Sequence, residues 1–175
     1  MKLNNDTIKD AVSLWKNDKS KCLELYGHIS NWDVSNVTDM RGLFKYSSSF
    51  NQPIGKWNVS KVTDMSRMFE GAESFNQPIG DWDVSNVTNM KEMFEGAISF
   101  NQPIGDWDVS NVISMNQMFR SVFHNHSFNQ PLENWDVSNV RDMEEMFHGA
   151  ISFNQPIGKW NVSSVIKMGY MFWAA

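Results

Sequence analysis

Six tryptophans recur along the chain, at Trp32, Trp57, Trp82, Trp107, Trp135 and Trp160, separated by 25, 25, 25, 28 and 25 residues. This fixed period constrains the fold more than any other feature. A unit of 25 residues cannot bury an apolar face alone, so each copy must stack on its neighbours. The longer step lies in "RSVFHNHS", residues 120–127, which exceeds the corresponding link of the other copies by three residues. The next Trp-Asp-Val stays in phase, so the extra residues are expected to bulge from a loop.

The copies separate fixed positions from free ones. Trp, the Val two residues later, the Ser after it and a second Val (Val37, Val62, Val87, Val112, Val140, Val165) never change. Trp-x-Val alternates with a period of two, so Trp82 and Val84 are expected on one side of a short strand. Val87, Met90, Met93 and Phe94 then follow at steps of 3, 3 and 1, which predicts the buried stripe of a short helix. Thr88 or Asn89 would start that helix and Gly96 would stop it. The expected fold class is therefore an α/β repeat: a right-handed solenoid with a concave parallel sheet on one face and short helices on the other. Residues 1–28 are expected to form a helical cap, with Ile8, Ala11, Val12 and Trp15 on one face and Cys22, Leu23, Leu25 and Tyr26 as a second apolar set. Residues 29–175 would hold six strand–helix units, all within one domain. The sequence ends inside its sixth unit at "KMGYMFWAA", so either Trp173 is expected to close the end or the last unit to meet a partner.

The charge balance is mildly acidic, with 15 Lys and Arg against 20 Asp and Glu. No basic stripe suits a phosphate backbone, so no nucleic-acid partner is expected. The lone Cys22 excludes an internal disulfide and a cysteine-based zinc site, and reads as a small half-buried helix residue. The polar start "MKLNNDTIKD" lacks the apolar core of a signal peptide, and no stretch approaches the roughly 18 apolar residues of a spanning helix. An intracellular chain without membrane contact is expected.

Two polar columns flank the tryptophans. The residue after each Trp is Asp33, Asn58, Asp83, Asp108, Asp136 or Asn161. Asp and Asn interchange freely, which calls for a short side-chain oxygen that ties down a corner rather than for an ion-binding charge. The residue before each Trp varies: Asn31, Lys56, Asp81, Asp106, Asn134 and Lys159. With Asp83 and Asp108 these six make the candidate partner-binding set, acidic at its centre and basic at its flanks. Asn51, Asn76, Asn101, Asn129 and Asn154 form a third column, expected to satisfy loop backbone groups along the stack. His124 and His126 form a surface pair that lacks a third metal ligand. No catalytic constellation, cofactor motif or metal site emerges, so an enzyme is not expected.

The stretch "SFNQPIGDWDVSNVTNMKEMFEGA", 74–97, resembles the repeats of the BspA-like leucine-rich repeat family. It is similar in particular to the mycoplasma-lipoprotein type, "FNQPIGxWDVSNVTxMxxMFxxA", across about residues 29–172. The resemblance implies a leucine-rich-repeat-like solenoid with an interaction role. Members occur as bacterial surface proteins and adhesins, in protists and in large DNA viruses, so a virus-encoded member is one expectation. The expected function is a non-enzymatic scaffold that binds a protein through its concave face. Self-assembly into homo-oligomers through the C-terminal end is the alternative, and adhesin-like surface binding a third.

Overall fold

A computed structural model describes residues 2–123 and 125–175. Two helices open the chain: α1, Asn5–Asn17, and α2, Lys19–Tyr26. The Asn4 side chain accepts from the N–H groups of Asp6 and Thr7, and Thr7 returns a bond to the Asn4 N–H, which closes a capping box. Ile8, Ala11, Val12 and Trp15 are buried on one face of α1. From α2 only Cys22 is buried. Its thiol lies at the Ala11 carbonyl and is fully enclosed rather than half-buried, whereas Leu23 and Leu25 face solvent.

The remainder is a stack of six rungs, each beginning at its Trp: 32–56, 57–81, 82–106, 107–134, 135–159 and 160–175. Their construction overturns the expected α/β solenoid. Among the described residues, the rungs contain no α-helix and no strand longer than a single parallel bridge. Those bridges run in one column, Asp39–Asp64–Asn89–Ser114–Asp142–Lys167. Neither the concave sheet nor the outer layer of helices is present among the described residues, so the leucine-rich-repeat solenoid is not supported as the architecture of this chain.

In place of the helix the third rung runs through consecutive tight turns. Met93, Glu95 and Ala97 donate their N–H groups to Met90, Glu92 and Phe94, three residues back, at 3.0–3.2 Å. The alternate groups, of Met90, Glu92, Phe94 and Gly96, donate instead to Ser114, Asn116, Met118 and Arg120 of the next rung, at 2.8–3.0 Å. A helix would spend these donors four residues back within its own segment. Here half of them join neighbouring rungs. The geometry needs a left-handed residue in alternate turns, found at Glu92 (φ 56°) and Gly96 (φ 65°) and repeated at the matching positions Arg67 and Gly71, and Glu145 and Gly149. For a non-glycine residue that conformation costs about 1 kcal/mol, offset by the bonds between rungs. The apolar steps of 3, 3 and 1 fit three-residue turns as well as a helix, which explains the misreading.

The Trp-x-Val segment keeps its alternation without a ladder. Trp82 and Val84 are buried and Asp83 is exposed. The link between rungs at this point is the indole: Trp82, Trp107, Trp135 and Trp160 each donate Nε1–H to the carbonyl of Ile54, Ile79, Ile104 or Leu132 in the preceding loop. Rungs approach so closely here that a Cβ on Gly80 would meet the Pro103 carbonyl oxygen at 2.5 Å, so Gly80 stays bare, and Gly55 and Gly105 stand equally close to the next rung. Two columns of stacked phenylalanines fill the interior. Phe44, Phe69, Phe94, Phe119, Phe147 and Phe172 repeat at 5.6–5.8 Å between centroids, beside Phe50, Phe75, Phe100, Phe128 and Phe153 at 5.9–6.1 Å.

Candidate interaction surface

Each buried Trp pins the residues on either side of it at the surface. Asn31, Lys56, Asp81, Asp106, Asn134 and Lys159 are all exposed, as are Asp83 and Asp108 across the indole from Asp81 and Asp106. The proposed set thus forms one exposed two-column stripe, set on turns rather than on a sheet. Its four central aspartates fall in adjacent copies of the repeat, with Lys56 and Lys159 on the outer copies.

The second column has a structural task. Asp83 Oδ1 accepts from the Ser85 N–H at 3.1 Å and from the Ser85 hydroxyl at 2.6 Å, and Asp33, Asn58 and Asp108 repeat that pair of bonds. Ser110 hydrogen bonds hold the Asp108 carboxyl below its usual range, and Ser35 does the same for Asp33. One oxygen is committed at every corner, which is why Asn serves as well as Asp. The first column makes no such bond and is free to vary. The third column is a ladder: Asn76 Oδ1 accepts from the Asn101 N–H and from Gln102 Nε2, and the pattern recurs at Asn51, Asn101 and Asn129.

His126 is not a surface ligand. It is fully buried, Nε2 contacts the Phe94 carbonyl at 3.0 Å, and Nδ1 accepts from the Phe128 N–H at 3.2 Å. These partners define a neutral ring with its proton on Nε2. Burial pushes its pKa down to about 4. The insertion therefore folds one histidine inward as a fastener. His124, the other half of the expected pair, lies outside the described residues.

A charged network escaped the sequence reading. Lys45 Nζ meets Glu70 at 2.8 Å, Arg67 spans Glu92 at 2.6 Å and Glu70 at 3.8 Å, and Arg120 joins Glu95 to Glu145 at 2.5 and 2.6 Å. The carboxylates of Glu70, Glu92 and Glu95 lie within 4.8 Å of one another. Burial would raise the Glu92 carboxyl, but Arg67 and Lys91 outweigh it and hold it low. Burial raises Glu95, with Glu92 and Glu70 adding to the effect against Arg120. The available signal was the sharing of one repeat position by Lys45, Glu70, Glu95 and Arg120, where two adjacent acids are flanked by a base on either side along the stack.

The family model described as "Mycoplasma protein of unknown function, DUF285" matches residues 13–126 and 120–175, and the chain belongs to that family. No curated protein and no solved structure matches the chain. Among the described residues no helix is long and apolar enough to cross a membrane.

Proposed function

We propose that the chain is a non-enzymatic scaffold that binds a protein partner through the stripe centred on Asp81, Asp83, Asp106 and Asp108. One observation carries this reading: each variable side chain is exposed directly beside a buried, hydrogen-bonded tryptophan. Side chains presented on a rigid backbone lose little entropy on binding, and their identity can change without cost to the fold. The acidic centre favours a partner with a basic face. We also infer kinship with BspA-like repeat proteins, from the repeat motif alone and without their leucine-rich architecture.

The test is affinity capture from the native cell with the parent chain and with an Asp81→Lys, Asp106→Lys double variant of unchanged thermal midpoint. Loss of a captured protein from the variant supports the stripe. Retention of the same proteins by both would move the site elsewhere.

A second reading, end-on self-assembly, rests on the last rung. Ile166, Met168, Tyr170, Phe172 and Trp173 are exposed there, and among the described residues no hydrogen bond engages the N–H groups of Met168, Tyr170 and Phe172. Light scattering across a concentration series decides it, since a strict monomer at millimolar concentration excludes assembly.

A further inference from the structure

A second surface lies away from the stripe and shares none of its residues. The left-handed turns place glycine at 71 and 96, and these leave a bare strip of backbone on the turn side of the stack. Above Gly96 the nearest atoms that a Cβ would meet are those of Gly71, at 3.7 Å, whereas the Tyr46 ring lies over Gly71, 2.7 Å from where its Cβ would stand, so the strip is open at Gly96. The result is a groove of about 440 Å³. Tyr46 of the first rung stands at one end, and Phe123 of the three-residue insertion at the other, 70% and 84% exposed. With the Tyr46 ring over Gly71, about two rung steps of about 4.8 Å remain open, room for an extended segment of about three residues at 3.3 Å each.

The lining defines the occupant. Glu70, Glu73 and Glu95 face the groove, and among its described lining residues there is no Lys, Arg or His. Lys45, Arg67 and Arg120 reach the Glu70 and Glu95 carboxylates from outside that lining. No ion pair engages Glu73 among the described residues, and its side chain is exposed. Lys45 Nζ already lies 4.7 Å from the Tyr46 ring centroid, so the exposed Phe123 ring is the one that would attract an incoming cation, whose aliphatic stem would cover apolar wall. Phosphate or nucleic acid would meet like charge. We propose that this groove binds an extended basic segment of a partner protein, seating a lysine or arginine side chain over Gly96 between Tyr46 and Phe123, against Glu73 and Glu95. The burial that raises the Glu95 carboxyl supports this, because an incoming cation would relieve it. The insertion that breaks the 25-residue period then gains a purpose, as the wall that closes the groove.

The experiment is an amide chemical-shift titration of the 175-residue chain with acetyl-Ala-Arg-Ala-Lys-Ala-amide. Its neutral analogue, carrying citrulline and acetyl-lysine, is the control. The expected shifts cluster on Gly71, Gly96 and Ser121, and the charged peptide binds at least tenfold more tightly than the neutral one. Glu73→Gln with Phe123→Ala, both exposed, should weaken binding at least tenfold. The Asp81→Lys, Asp106→Lys variant should leave the shift map unchanged, which separates this site from the stripe. Equal binding of the two peptides, shifts centred on 81–108, or no shift at millimolar peptide would each overturn the proposal.

Discussion

The two ends of the stack are finished differently. At the amino end, side chains of the helical segment replace the missing rung bond by bond. Asn5 Oδ1 accepts from the Thr38 N–H at 2.8 Å, the bond that Thr63 makes to Thr38 and Thr88 to Thr63 further along. Lys16 Nζ donates to the Leu43 carbonyl at 3.0 Å, which stands where Met68, Met93 and Met118 accept a backbone N–H. Trp15 packs its edge on Trp32 at 6.1 Å, in the place of another indole. At the carboxyl end, Phe172 stacks on Phe147 at 5.6 Å but is half exposed, and among the described residues no hydrogen bond engages the N–H groups of Met168, Tyr170 and Phe172. A rung of this kind needs a partner on both sides, and α1 supplies one through the side chains of Asn5, Lys16 and Trp15 together with the buried Ile8, Ala11 and Val12.

The largest test of this contrast is the same deletion at two depths. Phe94→Ala, in the middle of the stack, should cost about 3–5 kcal/mol in urea denaturation. Phe172→Ala, at the open end, should cost about 1 kcal/mol. Similar costs would mean that the last rung is covered in solution.

His126 sharpens the comparison through pH. Its pKa is lowered to about 4 in the fold from 6.5, so the unfolded chain takes up the proton first as pH falls. Its contribution is complete above pH 6.5 and is lost as pH falls toward about 4, a change on the order of 3 kcal/mol. A ring whose nitrogen shifts stay fixed between pH 7 and 5 is the expected result. Titration near 6.5 would contradict the buried placement.

Asn5→Ala should cost about 1–3 kcal/mol, since it leaves the half-buried N–H groups of Thr38 and Asp39 without an acceptor. Their amide exchange should quicken with it. At the smallest end, Asp83→Ala should cost about 1 kcal/mol and Asp83→Asn about half that or less, because only one oxygen is used. A thermal series of the two variants checks the order.

These particulars show what the sequence could carry. Burial was legible: Trp82, Val84, Val87, Met90, Met93 and Phe94 recur at fixed phase, and all are buried. The corner role of the Asp/Asn column was legible from interchange alone. Hydrogen-bond direction was not, because apolar spacing records which side chains point inward and says nothing of where an N–H goes. The left-handed column left a faint mark, since Gly42 occupies in the first rung the place of Arg67, Glu92 and Gln117. The stripe's exposure followed from its place beside Trp. The groove did not, because it is a space left at Gly96 between the Tyr46 ring and an insertion out of register.

The central claim is that alternate turn amides reach the next rung instead of closing a helix. Scalar couplings across hydrogen bonds test it directly in the labelled chain. The account predicts coupling of the Phe94 N–H to the Met118 carbonyl carbon and of the Glu95 N–H to that of Glu92. Coupling of the Phe94 N–H to the carbonyl of Met90 would restore the helix and contradict the turn-built stack.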